Sequence, residues 1–391
     1  MPRWLNVSII GTTGPDPRYR PGMVFSSDLA QEVVLALASG PRPVSGLAAE
    51  LGRPAAELEP ILNGLRDLRA VRGEGGRLWL DFSFLTTRDQ AALDAVVPSL
   101  GQELARCVRE RARTIDAALA ALPGGSSPRR RAEYAFAVVG CMGLDWNGIS
   151  TLQRRGYLSP AREYPDGGRY VLVGEERCDV RVLKDYCGSR TGGGERYAFT
   201  SFGDHSGPRH CLPDLFFRAE RALGAVEWPV GLGATVGGVL QRGTKFLYDE
   251  LGAVVAGRRE PGGPLGEFLA QTGYVRDGEA LVPLFTSAVL DPVREVASAV
   301  GDAVADWAAR TVPELGRTLA ALTPLRHGVD RGHFLNHIWH FIFAQANRVL
   351  AEEGFLLDPE PKPDGQGRYL AWVAETDFYQ ALWASDRDCL P

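Results

Sequence analysis

The chain has 391 residues, and its apolar content of 45% and charged content of 23% are ordinary values for a folded globular protein. One hydrophobic core rarely grows to this length, so we expect at least two domains and little disorder. The net charge of −5 excludes a general attraction of the whole molecule for phosphate backbones, so any DNA binding must come from a local patch.

The sequence favours a cytoplasmic protein with no membrane partner. Residues 1–14 lack the apolar run of a secretory signal, and no stretch approaches the roughly 20 apolar residues of a membrane span. The six cysteines follow no regular framework, which favours reduced thiols. Almost all basic residues are arginine, which is typical of a GC-rich bacterial genome.

Residues 28–82 predict three helices followed by a hairpin, after an N-terminal arm over residues 1–25. A turn at residues 39–41 ends the first helix, Gly52 ends the second, and Pro54 opens the third. A glycine-rich turn within residues 72–77 then joins two short strands. This is the element order of a winged helix-turn-helix. The apolar stripe of the third helix consists of leucines at helical spacing: Leu58, Leu62, Leu65 and Leu68.

Residues 26–86 resemble the winged helix-turn-helix of ArsR/MarR-type bacterial regulators. The resemblance rests on Leu47-Ala48-Ala49-Glu50-Leu51-Gly52, on the leucine stripe that ends at Val71, and on the glycine-rich wing. It implies a DNA-binding module in a transcription regulator. The same module serves as a dimerisation domain in small-molecule O-methyltransferases, so this second role stays open.

The predicted reading face of the third helix is acidic. If the leucine stripe faces the core, Glu57 and Glu59 face the DNA groove, where they would repel phosphates, and Pro60 lies between them and Asn63. Asparagine is suited to reading a base edge, and flanking arginines are suited to phosphates. The residues that we assign to DNA contact are therefore Arg53, Asn63, Arg66, Arg69, Arg72 and Arg77.

Residues 87–123 are predicted to form a helical connector. Seven positions alternate between spacings of three and four, as in a helix that pairs with another helix: Leu100, Leu104, Cys107, Arg111, Ile115, Ala118 and Leu122. The connector either pairs two chains into a homodimer or packs as an amphipathic helix on its own chain. The glycine, serine and arginine residues of 124–131 predict a linker.

Residues 132–391 are predicted to form a larger mixed α+β domain for ligand sensing or another effector role. Residues 134–139, 169–173 and 197–202 have strand-like patterns, whereas residues 289–307 and 332–353 have helical patterns. Strands first and helices later favour an α+β fold over repeating βαβ units. The segments Val139-Gly140-Cys141, Leu144-Asp145-Trp146 and 199–205 resemble uncharacterised bacterial regulator-like proteins, a resemblance that implies no chemistry.

Three histidines form the first candidate site in this domain. His333, His337 and His340 are spaced to lie on one side of a helix, and imidazole is a common zinc ligand. The helix is otherwise apolar, so histidines that hydrogen-bond in the core, or that line a ligand pocket together with Asp145 and Trp146, are alternatives. Zinc is therefore a candidate cofactor, and the sequence identifies no cofactor beyond this possibility.

Two other segments are weaker candidates. Asp204, His205, His210 and Cys211, with Cys178 and Cys187 upstream, include zinc-ligand and nucleophile types, but their spacing favours a surface loop. The glycines of residues 231–238 lack the sixth-place glycine of a dinucleotide fingerprint, which favours a turn or a close-packed helix start.

We therefore expect a DNA-binding transcription regulator with a small-molecule-sensing domain, acting as a homodimer on two half-sites. The alternative is an enzyme or ligand-binding protein that uses the winged helix only for dimerisation, and we assign no catalytic residue. A protein-interaction module on the same face is a third possibility.

Overall fold

The computed structural model describes residues 5–177, 187–204, 232–260, 262–271, 273–360 and 368–382. These residues form a mixed α+β fold with open sheets, as the sequence predicts at this coarse level. No helix in these ranges is both long and apolar enough to cross a bilayer.

The N-terminal part contains strand β1 (Leu5–Thr12) and four helices: α1 (Pro21–Val24), α2 (Asp28–Ala38), α3 (Val44–Leu51) and α4 (Ala55–Asp67). Gly52 adopts a left-handed conformation with φ 62° and ends α3. A hairpin of β2 (Val71–Glu74) and β3 (Arg77–Leu80) follows. Both residues of its tip have positive φ, which explains why Gly75 and Gly76 stand there.

The first sheet joins segments from both sides of the predicted linker. Strand β6 (Arg169–Glu176) lies in the middle, antiparallel to β1 and parallel to β4 (Ser83–Leu85), while β5 (Arg162–Glu163) pairs with its beginning. The predicted N-terminal arm therefore contains a paired strand. Because β1 and β4 both pair with β6, the three-helix and hairpin unit is held against the rest of the chain.

The second sheet is built from segments far apart in the sequence, in the order β11, β12, β8 and β7. Strand β12 (Arg368–Glu375) pairs with β8 (Tyr197–Asp204), and β7 (Gly188–Gly193) and β11 (Leu284–Phe285) flank this pair. The minor hairpin consists of β9 (Val275–Arg276) and β10 (Glu279–Ala280).

Eleven further α-helices follow in the part of the chain that the structure describes. They are α5 (Thr87–Asp94), α6 (Val97–Arg109), α7 (Ala112–Ala120), α8 (Pro128–Ala135), α9 (Gly148–Arg154), α10 (Leu232–Val255), α11 (Gly263–Gln271), α12 (Leu290–Thr318), α13 (Thr323–Arg326), α14 (Arg331–Glu352) and α15 (Thr376–Leu382). The two long helical segments predicted near residues 289–307 and 332–353 correspond to α12 and α14.

The strand predicted over residues 134–139 is wrong, because this segment is helical. Helix α8 continues into a π-helix over Phe136–Asn147. Every residue from 136 to 145 is buried, so the segment shows no apolar periodicity that distinguishes a helix from a strand. Gly143 permits close packing, since a Cβ atom there would lie 2.9 Å from the Val300 side chain of α12.

The connector packs on its own chain, contrary to the dimer-helix interpretation. It is divided into α5, α6 and α7, and α6 lies against α14 and α12. Leu104, Cys107 and Ile115 are fully buried there. The apolar seam read from the sequence is therefore occupied by helices of the same chain, and it leaves no apolar stripe for a second copy.

Candidate functional site

Helix α4 has a buried side and an exposed side. Leu58, Leu62 and Leu65 are fully buried, as the stripe predicts. Glu59 and Asn63 are exposed, and so are the other positions predicted to face a groove: Ala56, Glu57 and Pro60. The tip of the β2–β3 hairpin is exposed as well. A macromolecular partner therefore has access to both elements.

Two of the predicted phosphate-binding arginines are paired with the glutamates of α4. Arg66 lies 3.0 Å from Glu59 and also donates a hydrogen bond to the Asn63 side chain at 2.8 Å. Arg53 lies 3.8 Å from Glu57. These are exposed ion pairs, each worth roughly 0–1 kcal/mol, so a phosphate can compete for the arginines at little cost.

Two other predicted phosphate contacts are engaged with neighbouring groups of the same chain. Arg72 donates hydrogen bonds to the carbonyl oxygens of Leu80 and His327, at 3.1 and 2.7 Å, and its guanidinium lies over the Trp79 ring. Arg69 has a φ of 51° and lies over the Tyr164 ring. The Arg72 side chain is therefore turned toward the body of the protein, by which we mean the part of the chain that follows β4, and its guanidinium is already engaged there.

Arg77 is the predicted contact that is best placed for a phosphate. It lies at the exposed hairpin tip beside Gly76. Within the part of the chain that the structure describes, it forms no ion pair, whereas Arg53 and Arg66 do. The outer face of α4 and this tip are thus the exposed parts of the three-helix and hairpin unit that carry the remaining predicted contact residues.

The three histidines of α14 point to three different partners. The His333 ring lies 2.8 Å from the carbonyl oxygen of Pro160, and His337 Nδ1 lies 2.9 Å from the Ser83 hydroxyl. His340 Nδ1 lies 2.9 Å from the carbonyl oxygen of Asn336 in the preceding turn. The described residues include no group of three or more potential ligands that could hold a metal ion. The proposed zinc site of His333, His337 and His340 is therefore not formed.

The structure does bring together three of the predicted pocket residues. His340 Nε2 lies 3.8 Å from Asp145 Oδ1, at the end of the π-helix. Ser189 of β7 donates a hydrogen bond to Asp145 Oδ2 at 3.1 Å, and it accepts one from Trp146 Nε1 at 2.8 Å. Asp145, Trp146 and His340 therefore share one buried polar cluster, whereas His333 and His337 lie outside it.

Burial favours the uncharged forms of Asp145 and His340. It raises the pKa of Asp145 to about 7 and lowers the pKa of His340 to about 4. A backbone carbonyl can only accept a hydrogen bond, so His340 Nδ1 carries the proton and Nε2 presents its lone pair toward Asp145. A protonated Asp145 is the matching partner for that lone pair.

The π-helix is the least common backbone element near this cluster, and π-helical turns frequently occur at functional sites. Cys141 lies four residues before Asp145, but burial raises its pKa well above the ordinary value, so it remains a thiol and a poor nucleophile. Asp145 is only 3% exposed. The cluster can hold or release a proton, but a ligand would need the surrounding helices to open.

A hydroxyl chain beside the cluster was not predicted from the sequence. Thr200 lies 2.9 Å from Thr191 and 2.8 Å from the Tyr379 hydroxyl, which also accepts a hydrogen bond from Trp372. These residues lie on β7, β8, β12 and α15. Their sequence separation leaves no local pattern that could have identified them, and the same holds for Ser189.

The second candidate segment cannot be assessed as a whole. His205, His210, Cys211 and Cys178 lie outside the described residues, and Asp204 is described only as the last residue of β8. Cys187 is buried. Of the glycine-rich segment 231–238, residues from Leu232 onward begin α10, as the helix-start interpretation predicts.

Comparisons with protein-family models, with curated proteins and with solved structures found no match to this chain.

Proposed function

We propose that this chain is a transcription regulator in which α2–α4 and the β2–β3 hairpin form a winged helix that binds duplex DNA. The observation that carries the proposal is the two-sided α4, with Leu58, Leu62 and Leu65 buried and the opposite face exposed. In helix-turn-helix proteins the corresponding helix lies in the major groove, and a hairpin such as this one flanks it.

Local charge predicts weak binding that depends strongly on salt. Glu57 and Glu59 oppose the release of counterions, whereas Arg53, Arg66 and Arg77 favour it. Phosphates can draw Arg53 and Arg66 away from their exposed carboxylate partners, which leaves the glutamates as a residual repulsion. Asn63 is the base reader of this face.

The body of the protein is proposed to sense a small molecule. Side-chain contacts join it to the hairpin region, among them Ser83 of β4 with His337, the Leu80 amide of β3 with His327 Nδ1 at 3.3 Å, and Arg72 of β2 with the His327 carbonyl oxygen. Helix α14 also carries His340 of the buried polar cluster. A shift of α14 would therefore act on the strands that support the hairpin.

The DNA proposal is tested by fluorescence anisotropy with a labelled duplex from the region upstream of the gene, at low salt, where even non-specific binding is favoured. The wild type is expected to bind, and Arg77→Gln is expected to bind several-fold more weakly. Arg317→Gln is the matched control, because Arg317 is an exposed arginine far along the chain, on α12. Absence of any binding at low salt would contradict the proposal.

A ligand-binding protein without DNA-binding activity is the second candidate. It is favoured by the hydrogen bond from Arg72 to the His327 carbonyl oxygen, by the contact of Arg69 with the Tyr164 ring, and by the two glutamates of the exposed face. In that case α4 contacts a protein, or a second copy of the chain, rather than a duplex. The molecular mass of the protein in solution, measured for the wild type and for Asn63→Arg, shows whether the partner of α4 is a second copy of the chain.

A further inference from the structure

The ring of His327, which follows α13, contacts two parts of the three-helix and hairpin unit. The Leu80 amide of β3 donates a hydrogen bond to His327 Nδ1 at 3.3 Å, and the backbone of Ala38, at the end of α2, interacts with the same ring. His327 is only 3% exposed. One buried imidazole therefore joins three segments that lie far apart in the sequence.

The contact with Leu80 requires a neutral imidazole. A backbone N–H can only donate a hydrogen bond, so Nδ1 must present its lone pair to the Leu80 amide. In a protonated histidine both ring nitrogens carry a proton, and two donors would then face each other at this contact. The hydrogen bond and the positive charge of the ring therefore exclude each other.

The groups around the ring also oppose its protonation. Burial lowers the pKa of His327 below its ordinary value of 6.5, and the charges of Arg326, the preceding residue, and of Arg72 on β2 lower it further. The Ala38 backbone and the carboxylate of Asp89 on α5 favour the charged ring, but their effect is smaller than that of burial. The neighbouring carboxylate of Asp81 lies 3.5 Å from Arg72.

Trp79 of β3 shows that the closed arrangement of the hairpin carries a cost. Its ring contacts His327 edge-on, with 5.8 Å between the ring centres. The indole N–H of Trp79 is buried, and none of the described residues accepts a hydrogen bond from it. A buried donor without an acceptor is unfavourable. Movement of the hairpin away from the body exposes this group to water, which offsets part of the contacts that are lost.

We propose that His327 is a proton-sensitive latch on the β2–β3 hairpin. The neutral ring holds β3 against the body through the Leu80 amide, and the protonated ring releases it. The charged ring also repels the Arg72 guanidinium, which weakens the hydrogen bond from Arg72 to the His327 carbonyl oxygen. Acid therefore frees the hairpin to change its orientation relative to the body.

The regulatory meaning of the latch rests on the proposed function, because the hairpin is part of the surface that we propose to bind DNA. The latch itself is a property of the fold and is measured without DNA. Failure of DNA binding and failure of the latch are therefore distinguishable.

Hydrogen exchange of the full chain at pH 8 and pH 5 tests the latch, with exchange times scaled for the pH dependence of the chemical rate. Mass spectrometry with electron-transfer fragmentation resolves Leu80 from Leu78, whose amide donates to the Arg42 carbonyl oxygen at 2.7 Å. The protection of Leu80 is expected to be roughly tenfold or more lower at pH 5, because the released ring takes up a proton more readily than the bound ring. The protection of Leu78 is expected to stay the same.

Two variants identify the titrating group. His327→Asn keeps an acceptor oxygen near the position of Nδ1 but cannot take up a proton, so Leu80 is expected to be equally protected at both pH values. His333→Gln is the control, because the His333 ring contacts the carbonyl oxygen of Pro160 rather than the hairpin. This variant is expected to lose Leu80 protection in acid as the wild type does.

Circular dichroism spectra verify that each variant is folded at both pH values. The proposal is overturned if Leu80 of the wild type is equally protected at pH 8 and pH 5, or if folded His327→Asn loses this protection in acid as the wild type does. An equal loss at Leu78 and Leu80 in the wild type would also overturn it, because the whole hairpin would then open rather than its contact with the body. The comparison of these two leucines needs neither variant.

Discussion

The guanidinium of Arg72 donates a hydrogen bond to the backbone carbonyl oxygen of His327 at 2.7 Å, which joins the hairpin to the turn that follows α13. The Leu80 amide donates to the His327 ring from the same side, and Trp79 contacts that ring edge-on. The orientation of the hairpin is thus determined by the body of the protein, although the two segments lie far apart in the sequence.

Replacing Arg72 by alanine is expected to destabilise the protein by about 1–3 kcal/mol, because the His327 and Leu80 carbonyl oxygens lose a charged donor. The matched change Arg77→Ala removes an exposed arginine from the adjacent strand and is expected to alter stability by less than about 0.5 kcal/mol. Urea unfolding of the two variants measures the difference. Equal effects would show that the contact between Arg72 and His327 does not hold the hairpin.

Ser83→Ala is expected to destabilise the protein by about 1–3 kcal/mol, since it leaves His337 Nδ1 buried without its hydroxyl partner. Ser99→Ala is the control, because that hydroxyl is exposed and bonds only to a carbonyl oxygen of the preceding turn. The midpoints of urea unfolding report both changes. A Ser83 variant as stable as the Ser99 variant would contradict the role given to this contact.

The stability of the Asp145→Asn variant relative to the wild type is expected to depend on pH. Because the pKa of Asp145 in the fold is raised to about 7, above its ordinary value of 3.8, the wild type is favoured at acidic pH and loses this contribution as the pH rises through 7. The uncharged asparagine has no such loss. Between pH 5 and pH 8, the difference in free energy of unfolding between the two proteins should change in favour of the variant by an amount on the order of 2 kcal/mol.

Urea unfolding of both proteins at the two pH values measures this shift, and the histidine contributions that both share cancel in the comparison. Asp306→Asn on α12 is the control, because Asp306 is exposed. If the difference in free energy of unfolding between the wild type and Asp145→Asn is the same at both pH values, Asp145 is not held in its protonated form.

The sequence predicts the elements that bury one face and leave the other in water. Leu58, Leu62 and Leu65 recur at helical spacing because only one side of α4 meets the core, and Gly75-Gly76 marks a turn that needs positive φ at both residues. The π-helix offers no such signal, since residues 136–145 are buried on every side.

Partners of a face are harder to predict than the face itself. The spacing from Leu104 to Ile115 identifies an apolar seam, but it does not distinguish a second chain from α12 and α14 of the same chain. The spacing of the α14 histidines likewise places them near one side of a helix. Because α14 is buried between β4, the segment before β5 and the π-helix, the rings turn to different neighbours: Ser83, Pro160 and the Asp145 cluster.

DNA affinity after removal of the α4 glutamates tests the central proposal most directly. The double variant Glu57→Gln and Glu59→Gln removes the two negative charges that repel phosphates, and it releases Arg53 and Arg66 from their ion pairs. We therefore expect several-fold tighter binding to a duplex at fixed salt. Glu314→Gln, which releases Arg317 from a comparable exposed pair on α12, is expected to leave the affinity unchanged. Identical affinities for the wild type and both variants, or no binding by any of them, would contradict a DNA-binding role for α4.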